Sequence, residues 1–264
     1  MTAQADYLEK LEAWKVRRLK ALKAEDGWLD IVGRWVLDIG PATVGAGEDN
    51  DLVLPVGPAH LGTVTQKADG TVTFAPTTGE PVTVTPNKKT PPRFTLDRFL
   101  LDVTTLNGQN ALRIRDTQSK APDALTGIDY FAPNPEWRIV AQWSRFEQAK
   151  GLTIGTTGAI DTEVEVTHKA TFTHDGTPYE LIPTHGTPES PQFVIRDLTS
   201  RDLTYPASRF VYGEDVTDST IVLDFNKAIN PPCSFTEFAV CPLPPPQNVL
   251  PFRIEAGEKR PAGH

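Results

Sequence analysis

The chain holds 264 residues with a formal net charge of −8, from 34 acidic and 26 basic side chains. It contains no run of about 18 apolar residues, so no membrane-spanning helix is expected. An acidic balance repels nucleic acid and anionic membrane surfaces, so neither is expected as a partner. The N-terminus, MTAQADYLEKLEAWKVRRLK, lacks the apolar core of a signal peptide, and a cytoplasmic setting with both cysteines reduced is the expectation.

The first predicted element is a helix over residues 5–24, where Tyr7, Leu8, Leu11, Trp14, Leu19 and Leu22 recur at spacings of three and four. The one basic cluster, Lys15, Arg17, Arg18, Lys20 and Lys23, alternates with apolar residues and reads as the solvated face of that helix. Asp26-Gly27 ends it. The period then changes. TVTFAP (71–76), PVTVTP (81–86), RFLLDVTTL (98–106) and ALRIRD (111–116) alternate or are rich in β-branched residues, with turn signals at Asp69-Gly70, Thr78-Gly79 and Asn107-Gly108 between them.

After the proline-rich stretch FAPNPEW (131–137), a second β region begins at WRIVAQWSRF. EVEVTHKATFTHDGTPYELIP (163–183) predicts a hairpin turning at Asp175-Gly176, and QFVIRDLT (192–199), SRFVYGE (208–214), TIVLDF (220–225) and PFRIEAG (251–257) predict further strands. No helix-length segment lies between strands, so βαβ units are not expected. The expected fold is mostly β: an N-terminal helix packed on two antiparallel β subdomains, sandwich or barrel-like, spanning residues 1–130 and 131–264.

Between the last two predicted strands lies the stretch DFNKAINPPCSFTEFAVCPLPPPQN, which holds both cysteines of the chain. Pro231 and Pro232 stop sheet pairing, and CPLPPPQN imposes an extended path, so a stiff loop is expected there. Such stiffness can hold polar groups in place at little entropic cost. Asp224, Asn226, Cys233 and Glu258 are therefore candidate catalytic residues around a cavity beneath the loop: Asp224 as acid/base or anchor, Asn226 as hydrogen-bond donor, Cys233 as pocket wall or nucleophile. The plainer reading is packing, with buried cysteines acting as small hydrophobes and prolines covering a sheet edge.

This ending resembles that of a bacterial and archaeal family known as a domain of unknown function, DUF1684. The resemblance rests on Asp224, Phe225, Asn226, Asn230, Pro231, Pro232, Cys233, Cys241, Pro242, Asn248 and the run Ala256 to Lys259. GWLDIVGRWVL (27–37), RIRD (113–116), YFAPNPEWRI (130–139) and RDLTSRDLTYPASRF (196–210) echo the same family, although Arg201 stands where its members often carry glycine. The resemblance implies a shared site and names no reaction.

A second candidate set, for ligand binding, is Arg196, Asp197, Ser200, Tyr205 and Arg209, since Arg and Tyr side chains read anionic or planar ligands. A solvent-exposed hairpin with cross-strand charge pairs is its ordinary alternative. PATVGAGEDNDLVLPVGPAHLGTV (41–64) resembles forkhead-associated phosphothreonine-binding domains through Gly45, Asn50, Asp51, Val53, Leu54 and His60. Ala46 and Gly57 replace the phosphate-reading residues, so a shared β-sandwich is expected without phosphothreonine binding. The five histidines are scattered, with no HxH or HExxH spacing; GxSxG, P-loop and dinucleotide fingerprints are absent as well. The residues thus name no cofactor and assign no metal. They point to a small-ligand-binding or enzymatic site under the C-terminal loop, with a non-catalytic interaction module as the other reading.

Overall fold

The computed structural model describes residues 3–261. Its contacts divide into two compact units: the described residues up to Leu19 together with those from Thr126 onward, and Lys20–Leu125. The protein is mostly β, with helix α1 (Ala3–Leu22) at its N-terminus and three sheets, none of which closes into a barrel. No helix among the described residues is long and apolar enough to cross a membrane.

Helix α1 follows the apolar spacing. Asp6 in the first turn and Lys20 in the last complement the helix dipole. Leu11 is buried, and Trp14 packs on the cluster of Val194, Phe210 and Ile229. The basic residues depart from expectation. Arg18 turns inward to pair with Glu258, leaving its side chain 16% exposed, and Lys15 lies over the ring of Tyr130 at 4.8 Å. Both long stems cover apolar surface while the cationic ends find partners.

In the Lys20–Leu125 unit the strands are β1 (Ile31–Val36), β2 (Gly40–Gly45), β3 (Leu52–Val53), β4 (Gly62–Gln66), β5 (Val72–Pro76), β6 (Val82–Val84), β7 (Arg93–Leu96), β8 (Phe99–Leu106) and β9 (Gln109–Asp116). They form a four-stranded sheet, β1-β9-β8-β7, and a five-stranded sheet, β3-β2-β4-β5-β6. Inward residues of both sheets, among them Val44, Val64, Phe74, Leu101, Val103 and Ile114, make one core. The Asn107-Gly108 turn has φ of 46° and 78°, the left-handed pair that a two-residue hairpin requires. The simple meander is interrupted twice: β2 and β3 pair in parallel, and β1 pairs with the distant β9. On the face of β8 away from the core, Asp102 is wholly buried beneath Arg113, which binds it through Nε at 2.9 Å and Nη2 at 3.0 Å, and beneath Arg115.

The other unit is built on seven strands: β10 (Arg138–Ile154), β11 (Thr162–His174), β12 (Thr177–Leu181), β13 (His185–Thr187), β14 (Ser190–Ile195), β15 (Arg209–Glu214) and β16 (Thr220–Asp224). Their order is β12-β11-β10-β16-β15-β14-β13. Asp175-Gly176 turns the β11–β12 hairpin. Strand β10 is longer than its sequence pattern, because a register shift between Arg145 and Lys150 absorbs extra residues and lets pairing with β11 resume.

The predicted strand over 251–257 does not form; the segment runs as irregular chain across the sheet. Its apolar residues still enter the core, where Leu250, Ile254 and Ala256 join Trp143, Phe193, Leu223 and Phe225. Side chains replace the missing neighbour strand. The Ile254 amide donates to the Asp197 carboxylate at 2.7 Å, and Arg209 donates to the carbonyls of Ile254 and Ala256. Buried backbone groups need partners, but those partners need not be backbone. Gly257 has φ +79° and passes so near the 225–228 turn that a Cβ would lie 2.6 Å from the Ala228 carbonyl oxygen.

Candidate functional site

Most of the candidate site residues fall into four clusters in the interior. The first begins where β16 ends. Asp224 accepts from the Asn226 amide at 3.2 Å and from Asn226 Nδ2 at 3.1 Å. Both its carboxylate oxygens also lie 3.1 Å from the Tyr7 hydroxyl, which donates to them from α1. Burial, followed by the Asp224 charge, pushes the Tyr7 phenol up from its ordinary value, so it stays a proton donor. Asn226 then reaches across to Asn134. Its Oδ1 accepts from the Asn134 amide and its Nδ2 donates to the Asn134 carbonyl, each at 2.9 Å. Asp224 thus orients Asn226, and Asn226 clamps the FAPNPEW segment at both polar groups of one residue.

The second cluster surrounds Glu258, which has no exposed surface. One oxygen accepts from Arg18 Nε at 2.9 Å, the other from the Asn230 amide at 2.6 Å. Arg18 also donates to the Asn230 carbonyl at 3.1 Å, and Asn230 Nδ2 donates to the Lys259 carbonyl at 2.7 Å. The third cluster is Arg209 with Asp197. Their 3.0 Å contact is buried, and the second Asp197 oxygen accepts from Thr199 and Ile254. Asn248, at the end of the loop, belongs to the same kind of framework: it exchanges hydrogen bonds with both backbone groups of Ile182 and donates to Val194.

The fourth cluster holds the thiols. The Cys233 amide donates to Cys241 Sγ at 3.2 Å, and neither cysteine is in a disulfide. The Tyr205 hydroxyl donates to the Cys233 carbonyl at 3.1 Å. Thr157 holds Cys241 from both sides, accepting from its amide at 3.0 Å and donating to its carbonyl at 2.9 Å. A hydrogen bond from Cys241 holds the Cys233 thiol down at about 7 against the opposing effect of burial. The Cys241 thiol is raised by the same hydrogen bond and then by burial.

Asp224, Asn226, Glu258, Asp197 and Arg209 are therefore gathered in the interior and engaged with one another or with backbone. Two of the ligand-binding candidates stand apart: Arg196 is exposed and bonded through its backbone to Asn248 and Leu250, and Ser200 lies in a short helical turn with its amide on the Asp197 carbonyl. Tyr7, Arg18, Asn134 and Tyr130, whose hydroxyl donates to Glu258 at 3.4 Å, complete the clusters and were not among the sequence candidates. Helical periodicity marks Tyr7 and Arg18 only as positions on α1, and says nothing of a carboxylate more than two hundred residues away. Asn134, between two prolines, was the one legible signal.

Among the described residues of this unit are two hollows. One, of about 490 Å³, is lined by Phe131, Pro133, Asn134, Trp137, Arg253 and Glu255. The other, of about 290 Å³, is lined by Gln4, Tyr7, Pro135 and Arg138. The 131–138 segment contributes to both, and Asn226 holds that segment from behind. In the larger hollow Trp137 is supported by Phe252, with ring centroids 6.2 Å apart and near-parallel planes, and by His174 at 5.1 Å. Arg253 is braced by Glu255 at 2.9 Å and Asp202 at 3.1 Å.

His174 and His168 both stack on tryptophans, His168 on Trp143 at 5.0 Å. Among the described residues no group of three or more His, Cys, Asp or Glu side chains is placed to hold a metal ion. In the other unit, Asn50 donates to the carbonyls of Gly47 and Ala59 and meets His60 Nδ1 at 3.2 Å, while Asp51 accepts from Thr43. The loop that resembles forkhead-associated domains is thus internally tied.

The family described as "Protein of unknown function (DUF1684)" matches residues 123–259, more than half of the chain. Among solved structures, an uncharacterized protein of Haloarcula marismortui is 27% identical, over 55% of this chain and 82% of its own, with a TM-score of 0.44. No curated protein matches the chain.

Proposed function

The chain belongs to the DUF1684 family, and we propose that its C-terminal motif builds a small-ligand-binding site in the hollow lined by Trp137, Asn134 and Arg253. The observation that carries this reading is the hollow itself. Its volume of about 490 Å³ falls in the range of small-molecule sites. It pairs a supported aromatic side chain with a braced guanidinium, and Asn134 Nδ2 has no protein partner among the described residues. An aromatic body would lie against Trp137, and an anionic or polar group would meet Arg253 and Asn134.

In this reading Asp224 and Asn226 are positioning residues. They fix the backbone of Asn134, and through it the wall that carries Trp137. Glu258 and Arg209 hold the 254–258 chain, from which Arg253 and Glu255 reach the rim. Dense hydrogen bonding suits this work: a buried group held by several partners resists displacement and holds its neighbours to one geometry.

Titration with 8-anilinonaphthalene-1-sulfonate, an aromatic sulfonate of this chemistry, tests the proposal. The native protein should bind it saturably, and Arg253→Ala and Trp137→Ala should each weaken binding by about tenfold or more. Arg253 is solvent-facing, so its loss should leave folding intact. Absence of saturable binding, or equal affinity in wild type and Arg253→Ala, refutes the reading.

A further inference from the structure

The thiol cluster lies outside that hollow's lining, and its chemistry is of another kind. We propose that Cys233 and Cys241 form a redox-active dithiol that a low-molecular-weight disulfide converts to an intramolecular disulfide, with Cys233 as the attacking thiol and Cys241 as the resolving one.

Placement is the first argument. With Cys233 N to Cys241 Sγ at 3.2 Å and an N–Cα bond of about 1.46 Å, the second sulfur is within about 4.7 Å of Cys233 Cα. The two halves of the pair are anchored separately: Tyr205 holds the Cys233 carbonyl, and Thr157 holds both backbone groups of Cys241. Pro231 and Pro232 on one side and Pro242 on the other restrict the chain further. A loop whose ends are pinned this way presents its thiols to each other without a search.

Asymmetry is the second argument. Cys233 is 9% exposed and Cys241 only 2%, so an incoming disulfide reaches Cys233 first. The hydrogen bond from Cys241 also favours the Cys233 thiolate, the nucleophilic form. Cys241 keeps its proton because it donates to Cys233, because it is buried and because of the charge on Cys233. The first and last of these disappear once Cys233 is bonded to another sulfur.

The steps balance. The Cys233 thiolate attacks one sulfur of R–S–S–R; the new S–S bond forms as the old one breaks, and RS⁻ leaves. Cys241 then loses its proton and attacks Cys233 Sγ in the mixed disulfide, expelling the second RS⁻. The released thiolates take up the two protons. In sum, two protein thiols are oxidised by two electrons and one small disulfide is reduced to two thiols. A dithiol reductant reverses the sequence.

The experiment uses the full chain, native, equilibrated across ratios of reduced to oxidised glutathione, acid-quenched and weighed intact by mass spectrometry. Wild type should lose two hydrogens in a single transition and retain no glutathione. Cys241→Ser, which lacks the resolving thiol, should retain one glutathione on Cys233; Cys233→Ser should remain unmodified. Near-UV circular dichroism checks that each variant is folded, and if Cys233→Ser is not, wild type and Cys241→Ser decide the matter. Wild type that keeps both thiols at every ratio while native, yet is oxidised when unfolded in urea, overturns the proposal. So does a folded Cys241→Ser that takes up no glutathione. Neither outcome bears on ligand binding at Trp137, which is read by a different probe.

Discussion

Arg209 donates to Asp197 at 3.0 Å, and the two side chains are 2% and 1% exposed. The same guanidinium serves the carbonyls of Ile254 and Ala256, so one arginine takes the place of a sheet neighbour for the segment that carries Arg253 and Glu255. Its planar fork of donors suits this role, and a lysine cannot reproduce it.

Arg209→Ala would leave the Asp197 charge buried without its counter-ion and two buried carbonyls without their donor. Removing one member of a buried ion pair costs about 3–5 kcal/mol, so urea unfolding of the variant should shift by that amount. Arg209→Lys should recover only part of the loss. A shift below about 1 kcal/mol for the alanine variant would contradict this account of the segment.

Asn226→Ala removes the clamp on Asn134 while Trp137 and Arg253 remain. Losing three side-chain hydrogen bonds, each worth about 0.5–1.5 kcal/mol, should lower stability by about 1.5–4.5 kcal/mol. Affinity for the naphthalene sulfonate should fall as well, although the substituted residue does not line the hollow. Unchanged affinity in a folded variant would separate the C-terminal motif from the site.

Asp30 is 2% exposed, and its Oδ2 has no hydrogen-bond partner. Burial, then the neighbouring Asp116 carboxylate, pushes its pKa up to about 6, with Arg115 opposing. Folding therefore favours the protonated form. That stabilisation is complete below the unfolded value of about 3.9 and is lost as pH rises through about 6. Asp30→Asn should match wild type near pH 4 and exceed it by on the order of 3 kcal/mol at pH 8. Chemical denaturation at the two pH values gives the comparison; a variant less stable than wild type at pH 8 contradicts it.

Alkylation of the native protein by iodoacetamide should follow the Cys233 thiolate. The rate should rise through about pH 7 and level off above it, where an ordinary thiol would still be gaining. Cys241 should react only after unfolding. Peptide mapping of the labelled site distinguishes the two, and a midpoint near pH 9 would contradict the hydrogen-bonded arrangement of the pair.

Local features were legible in the residues. The spacing of Leu8, Leu11, Trp14 and Leu22 specifies a helix with one apolar face, and Asn107-Gly108 and Asp175-Gly176 specify turns, because each depends on neighbours in the chain. The strand pattern across both β regions, and the motif that marks the family, were likewise visible in the one-dimensional order. The expectation for 251–257 failed for a reason that alternation cannot report: its apolar side chains enter the core as in a strand, but its backbone partners are the side chains of Arg209 and Asp197.

The sequence by itself determined a mostly β chain with an N-terminal helix, and picked out Asp224, Asn226, Cys233 and Glu258 as residues of interest. Only the tertiary structure decided what these groups face. Tyr7 and Arg18 come from the far end of the chain to Asp224 and Glu258, and Asn226 turns toward Asn134 rather than toward solvent. Periodicity and turn chemistry act over a few residues, whereas a buried carboxylate takes its partner from whatever the fold brings alongside it.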